Sequence, residues 1–134
     1  MTKRIASLIG LVLLAAVSMS AQITNKMEVK VPFSFAAAGK IWAAGTYKLD
    51  IRLDNGLGML HSTESGSKVF LTQVTQSRDR GNTRVRFERY RNEWVLRAIV
   101  GGGLSADVLP GKLERELISD KPSASCALVA RLQP

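Results

Sequence analysis

The chain has 134 residues, with 19 Lys and Arg against 11 Asp and Glu and a formal net charge of +8. This length suits one small domain, and the modest basic excess favours an anionic partner without matching a nucleic-acid-binding module. A single cysteine, Cys126, excludes an internal disulfide, and a single histidine, His61, excludes the imidazole clusters that zinc favours.

The segment 1–21 is typical of a secretory signal peptide, which we expect to be helical. Two basic residues precede an apolar run over 5–17, and small residues lead to Ala21. Cleavage after Ser20 or Ala21 leaves a single β-rich domain, 22–134, in the periplasm or outside the cell, with no membrane span. The apolar run is short for a membrane-spanning helix, so a retained anchor is the less favoured alternative. A lipoprotein would need a cysteine at the cleavage point.

Alternating apolar residues predict the first strand of the domain, from Met27 to Phe35. Pro32 lacks an amide hydrogen, which places this strand at a sheet edge or beside a bulge. A second strand is predicted over 47–53, where apolar residues alternate with charged ones. Only one face of this strand therefore borders a core.

Turn residues divide the following chain into hairpins. Asp54-Asn55-Gly56 and Ser65-Gly66-Ser67 predict two tight turns, and a polar loop is predicted over 76–82. Arg91-Asn92-Glu93 predicts a further hairpin connection. Strands are predicted over the segments 57–62, 69–74, 83–90, 94–100 and 125–132. Cys126, in the last of these, is expected to be a small buried side chain unless it pairs with another chain.

The periodicity changes after Gly101-Gly102-Gly103. Apolar residues over 104–119 fit one helical face, with Pro110 at an early helical position, and this is the only helix predicted for the exported domain. The three glycines formally fit a dinucleotide-binding fingerprint, but no βαβ unit surrounds them, so we expect a flexible connection from strand to helix. The predicted fold class is all-β, with about seven antiparallel strands in a sandwich or small barrel and one helix in the C-terminal half.

Three short motifs stand out in the predicted domain: Pro32-Phe33-Ser34-Phe35, Ala44-Gly45-Thr46-Tyr47 and Glu114-Arg115-Glu116-Leu117. With them, the chain resembles an uncharacterised family of small secreted proteins of soil bacteria, in which a Pro-Phe-x-Phe strand accompanies an Ala-Gly-Thr-Tyr turn and a Glu-Arg-Glu-Leu helix. Trp42-Ala43 stands where those relatives carry Leu-Pro. The resemblance implies a signal peptide followed by one β-rich exported domain, and it implies no known activity.

Candidates for catalytic or metal-binding groups are few. His61 is expected on a strand, at the surface or partly buried, rather than at a metal. Glu114 and Glu116 are two positions apart on the predicted helix, which turns them to different sides, so we expect solvated charges. Asp50 and Asp54 share a strand face with basic neighbours, which favours ion pairs over a calcium site. These patterns predict no enzyme, no cofactor and no metal.

Arginine is concentrated between residues 78 and 97, with acidic residues interspersed. Arg84 and Arg86 alternate with Val85 and Phe87, which predicts an exposed cationic strip along one strand. A hairpin face that is merely solvated is the favoured interpretation of this strip, and contact with an anion is the alternative. The candidate anion contacts are Arg84, Arg86, Arg89 and Arg91.

Three functions are compatible with these features. The favoured one is a non-catalytic secreted or envelope-associated binding or structural module, whose partner is an anionic envelope polymer or another envelope protein, with no nucleic acid expected. The alternative is a carrier of a small apolar ligand within a β-barrel. Its lining would come from aromatic residues that equally suit an ordinary core, namely Phe33, Phe35, Tyr47, Phe87 and Trp94. An envelope hydrolase that uses scattered carboxylates is the least favoured.

Overall fold

The computed structural model describes residues 24–118 and 121–132, which are mostly β-strand, so the predicted all-β class is confirmed. The described strands number eleven, not about seven as the turn spacing predicts. The predicted signal peptide, 1–21, lies outside the described residues. The strands are β1 (Thr24–Val31), β2 (Phe35–Ala37), β3 (Lys40–Trp42), β4 (Gly45–Arg52), β5 (Leu57–Ser62), β6 (Gly66–Gln76), β7 (Arg84–Tyr90), β8 (Glu93–Gly101), β9 (Leu104–Val108), β10 (Ala124–Val129) and β11 (Arg131–Leu132).

The first predicted strand divides at Pro32. β1 ends at Val31, and the chain becomes a strand again at Phe35, where β2 begins. β2 and β3 form a short hairpin around Ala38 and Gly39, whose φ values of 52° and 75° fit a two-residue turn. Each of these strands has three residues, and β2 is buried throughout, so period-two spacing does not reveal the hairpin.

The predicted helix over 104–119 is wrong in its first part, which forms β9. Gly101-Gly102-Gly103 have positive φ throughout, and they return the chain tightly onto β8, so that Leu104 lies opposite Gly101. Within β9, Ala106 and Val108 are buried and alternate with more exposed polar residues. The connection is therefore strand to strand. In the described chain the helix is limited to α1 (Lys112–Leu117).

The strands form one hydrogen-bonded network with the order β10-β7-β8-β9-β6-β5-β4-β1-β11, and the β2–β3 hairpin branches from β8. This network has two parts that meet at β6. One part contains β5, β4, β1 and β11, and the other contains β9, β8, β7 and β10 with the β2–β3 hairpin. β6 belongs to both, because its first half pairs with β5 and its second half, from Thr72, pairs with β9. The strands at the two ends of this order, β10 and β11, are separated by one residue near the C-terminus. β10 pairs with β7, and β11 pairs with β1. This C-terminal segment and β6 therefore both join the two parts.

The larger of two apolar clusters forms the core between the two parts of the network. β1 and β4 contribute alternate residues to it, such as Val29 and Leu49, while β7 and β8 contribute Phe87 and Leu96 from the other side. The predicted inward face of the second strand is confirmed, because Tyr47, Leu49 and Ile51 are buried. Phe35 packs edge to face against the rings of Tyr47 and Phe87, at centroid distances of 5.2 Å each.

A smaller apolar cluster lies on the outer side of β8, where α1 covers it. Ala36, Tyr90 and Val95 are buried there against partly buried apolar residues of the helix and its C-terminal end. Glu114 of α1 is only 3% exposed, so its predicted solvation is wrong, whereas Glu116 is exposed as predicted. Glu114 is buried because its carboxylate contacts the β2–β3 turn. No helix of the described residues is long and apolar enough to span a membrane.

Candidate anion-binding site

The outer face of the β7–β8 hairpin carries the arginines that the alternation predicts there. Val85 and Phe87 are buried in the core, so Arg84 and Arg86 point away from it and are only partly buried. Their side chains remain 33% and 42% exposed, respectively. Each lies close to a carboxylate, so the strip is less cationic than the arginine count alone suggests.

Arg84 is held by two contacts with the loop that precedes β7. Its Nη2 donates to Asp79 Oδ2, and its Nε donates to the carbonyl of Asn82 at 3.1 Å. The guanidinium lowers the pKa of the Asp79 carboxyl, and a second hydrogen bond from the Gly81 amide, at 3.0 Å, acts in the same direction. Asp79 therefore stays ionised and fixes the orientation of Arg84.

Arg86 is held more loosely. Its Nη1 lies 3.7 Å from Glu88 Oε1, which is an ion-pair distance but longer than a hydrogen bond. The same carboxylate oxygen accepts a hydrogen bond from Arg97 Nε at 3.3 Å. Arg97 lies at a register shift, because Arg86 opposes Ala98 while the next residue of β7 opposes Leu96. This bulge brings Arg97 to Glu88, and strand alternation alone does not reveal it.

Arg84 and Arg86 line one shallow groove on the outer face. The groove has a volume of about 300 Å³ and is bordered by Ser77 and Asp79 on the loop side and by Val100 and Ala127 on the strand side. Two guanidinium groups, a hydroxyl and a carboxylate therefore lie around one open space. This arrangement suits an anionic group small enough to approach both arginines.

Arg89 and Arg91 do not join this groove. Arg89 has the strand parity of Phe87, so it lies on the opposite face, where its guanidinium carbon is 5.8 Å from the centre of the Trp94 ring. Its Nε donates to Ser123 Oγ at 3.1 Å. Arg91 lies in the β7–β8 turn with a φ of 59°, beyond the end of β7. The structure thus brings together two of the four predicted contacts.

A second polar cluster lies on the outer face of β4 and β5. His61 is partly buried on β5, as predicted, and its Nδ1 is 2.5 Å from Ser67 Oγ on β6. Asp50 lines the same surface pocket as His61, with a volume of about 320 Å³. A Ser-His-Asp triad requires a hydrogen bond between carboxylate and imidazole, but among the described residues the His61 ring bonds to Ser67 and not to Asp50, whose Oδ1 is buried without a hydrogen-bond partner. The cluster therefore lacks the geometry of a nucleophilic triad.

The other predicted polar residues are placed as follows. Arg52 Nε is 3.8 Å from Asp54 Oδ1, so the predicted ion pairing involves Asp54, and Asp50 has no ion pair within the described chain. No group of three or more His, Cys, Asp or Glu residues in that part of the chain is placed to hold a metal. Cys126 is a free thiol, and it is half-buried on β10 rather than buried as predicted.

No family model, curated protein or solved structure matches this chain.

Proposed function

We propose that the protein is a non-catalytic exported binding module that contacts anionic envelope material through Arg84 and Arg86. The observation that supports this proposal is that both guanidinium groups line one groove and still have donors to offer. Each guanidinium has five N–H donors. Arg84 donates through Nε and Nη2, and Arg86 Nη1 is beyond hydrogen-bond distance from Glu88.

The chemistry of the groove favours a phosphate or carboxylate group. Arginine presents paired N–H groups that match two oxygens of such an anion, and Arg84 is already oriented by Asp79. Asp79 and Glu88 keep the local excess of positive charge small, so a single isolated anion would bind weakly. A polymer that repeats the anionic group gains affinity by rebinding, which is why we infer a polymeric partner.

Export is part of the proposal. We infer that 1–21 is the signal peptide and that the working protein begins at Ala21 or Gln22, because the basic, apolar and small-residue regions occur in the required order. The motifs Pro32-Phe33-Ser34-Phe35 and Glu114-Arg115-Glu116-Leu117, which resemble those of small secreted proteins, imply the same location. The intact mass of the protein recovered from the periplasm or the medium tests the inference. A full-length mass in the cytosol would contradict it.

The apolar-carrier alternative receives no comparable support. The pocket bordered by Met27, Ile51 and Ile99, beside the core, has a volume of about 20 Å³. A water molecule needs about 10–15 Å³ by this measure. Phe35, Tyr47 and Phe87 are buried and packed against one another rather than around a ligand-sized cavity. We therefore propose the surface groove and not the interior as the site.

Charge reversal tests the groove. The probes are long-chain inorganic polyphosphate, which presents phosphates, and polygalacturonate, which presents carboxylates. We expect Arg86→Glu to weaken binding to at least one of them by about tenfold and to reduce its dependence on salt. Arg52→Glu is the matched control, because Arg52 is 48% exposed and forms an equally long ion pair, on β4 instead of β7.

Equal losses in the two variants would mean that only net charge matters, and the groove would not be the site. Unchanged binding in Arg86→Glu would likewise mean that the groove is not the site. Mass spectrometry of the protein isolated from its native envelope or medium addresses the partner directly, because a glycan, a lipid and a protein each leave a different co-purifying mass.

A further inference from the structure

The first half of β6 has one edge that no strand within residues 24–118 and 121–132 covers. Gly66–Leu71 pairs with β5 on one side, while the pairing of β6 with β9 begins only at Thr72, opposite Val108. We call the uncovered side of Gly66–Leu71 the β6 edge. No strand of the described chain pairs with it.

The backbone groups at the β6 edge can be assigned from one hydrogen bond. The carbonyl of Leu71 accepts from the Leu109 amide at 2.9 Å, so Leu71 directs its backbone groups toward the β9 side. Because these directions alternate along an antiparallel strand, Val69 and Ser67 direct their amide and carbonyl groups to the same side. Two residues thus offer a ladder of donors and acceptors to an added strand.

Exposed apolar side chains accompany the β6 edge. Val69 is 53% exposed and Leu71 55% exposed, and Leu109, which bonds to Leu71, is 46% exposed. Met59 lies opposite Val69 on β5 and is 43% exposed. These four side chains give an added strand apolar surface to cover, in addition to backbone hydrogen bonds.

The charged side chains beside the β6 edge determine which kind of added strand it favours. Lys68 is exposed on the β6 edge, and Lys40 reaches its beginning, where Nζ donates to the Ser65 carbonyl at 2.9 Å. No carboxylate of the described residues pairs with either lysine, although Glu64 lies in the adjoining turn. Antiparallel pairing of two copies of this chain would bring two Lys68 side chains onto one face, which disfavours a dimer.

We propose that the β6 edge docks an extended acidic segment of a partner protein as an added strand. Val69 and Ser67 supply the backbone hydrogen bonds, Val69 and Leu71 supply the apolar contacts, and Lys68 favours acidic side chains on the incoming strand. This surface is separate from the Arg84–Arg86 groove, so the two proposals stand or fall independently.

The test uses the protein recovered from cells that express the full chain. The probe is a capped peptide of alternating glutamate and valine, about eight residues long, with a lysine–valine peptide for comparison. We expect saturable binding of the glutamate peptide and weaker binding of the lysine peptide. We also expect Val69→Glu to reduce the affinity for the glutamate peptide by at least about tenfold, because it removes apolar contact and adds like charge.

Val129→Glu is the matched control, because Val129 is 66% exposed on β10, and it should leave binding unchanged. Val69→Pro is a second variant. It removes the amide that faces the added strand without breaking the β5 ladder, so it should also weaken binding. Equal affinity for the two peptides, or equal affinity in Val69→Glu and Val129→Glu, would overturn the proposal. A dimer in sedimentation that Val69→Glu dissociates would assign the edge to a second copy instead.

Discussion

Glu114 Oε1 accepts a hydrogen bond from the backbone nitrogen of Gly39 at 2.7 Å, although the two residues are 75 positions apart in the chain. Gly39 has a φ of 75° and forms the β2–β3 turn with Ala38, so the carboxylate ties α1 to the tip of that hairpin. Gly111, just before the helix, lies close to this carboxylate, because an added Cβ would be 3.0 Å from Glu114 Oε2, which would have to move by a few tenths of an ångström. An acidic side chain is therefore part of the packing of α1.

The first prediction concerns this contact. Glu114→Ala should lower the free energy of unfolding by about 1–3 kcal/mol, because the Gly39 amide loses its acceptor in a part-buried hydrogen bond. Glu114→Gln keeps an oxygen acceptor and should cost less than Glu114→Ala. Urea denaturation followed by circular dichroism measures both changes.

Glu116→Ala is the matched control for this prediction. Glu116 lies on the same helix but is exposed, so its removal should change the free energy of unfolding by less than about 0.5 kcal/mol. Equal effects of Glu114→Ala and Glu116→Ala would show that the buried carboxylate does not stabilise the hairpin.

The second prediction concerns Gly58 on β5. An added Cβ would lie 2.6 Å from two ring carbons of Phe70, which is buried opposite Gly58 on β6. Gly58→Ala should therefore destabilise the fold by about 1–3 kcal/mol through overpacking. Gly45→Ala is the control, because the nearest atom to its added Cβ is 3.9 Å away. Chemical denaturation of both variants measures the difference, and equal stability would refute the packing argument.

The third prediction concerns Trp42 on β3. Its side chain is 0% exposed, and Nε1 donates to the Ala37 carbonyl at 2.9 Å. Trp42→Phe should lower the free energy of unfolding by about 2–4 kcal/mol, because it leaves a cavity and a buried carbonyl without its donor. Ile41→Ala removes an adjacent side chain that is 47% exposed and should cost less than about 1 kcal/mol. Thermal unfolding of the two variants measures the difference. Equal melting temperatures would contradict this prediction.

Sequence periodicity is informative in this protein where a strand is long and has one buried face. β4 is such a strand, and the alternation of Tyr47, Leu49 and Ile51 with polar residues predicts its inward face. The same alternation does not predict β2 and β9, for different reasons. β2 is buried on both sides and has three residues, whereas β9 is short and precedes Leu109, Leu113 and Leu117, whose helical spacing extends the predicted helix back over it.

The candidate site is predicted only in part, because some of its contacts depend on tertiary structure. Alternation places Arg84 and Arg86 on the outer face because it depends on neighbouring residues alone. The ion pair between Arg84 and Asp79 depends on how the loop before β7 folds, and the contact between Arg97 and Glu88 depends on a bulge. The burial of Glu114 depends on a hairpin 75 positions away. Such contacts are set by tertiary structure, which local patterns do not encode.

The last prediction is a pH dependence at Asp79. Hydrogen bonds from Arg84 and from the Gly81 amide lower the pKa of its carboxyl, because both favour the ionised form, while desolvation opposes them. In the unfolded chain the carboxyl has its ordinary pKa, so between the two values the unfolded state binds more protons than the folded state. The interaction therefore contributes stability above the ordinary pKa, and this contribution is lost as the pH falls through the folded pKa. Arg84→Gln should raise the pKa of Asp79 toward its ordinary value, as followed by an NMR titration of the side-chain carboxyl carbon. Arg52→Gln, on β4, should leave that titration unchanged, and an unchanged titration in Arg84→Gln as well would mean that Arg84 does not hold the carboxylate in solution.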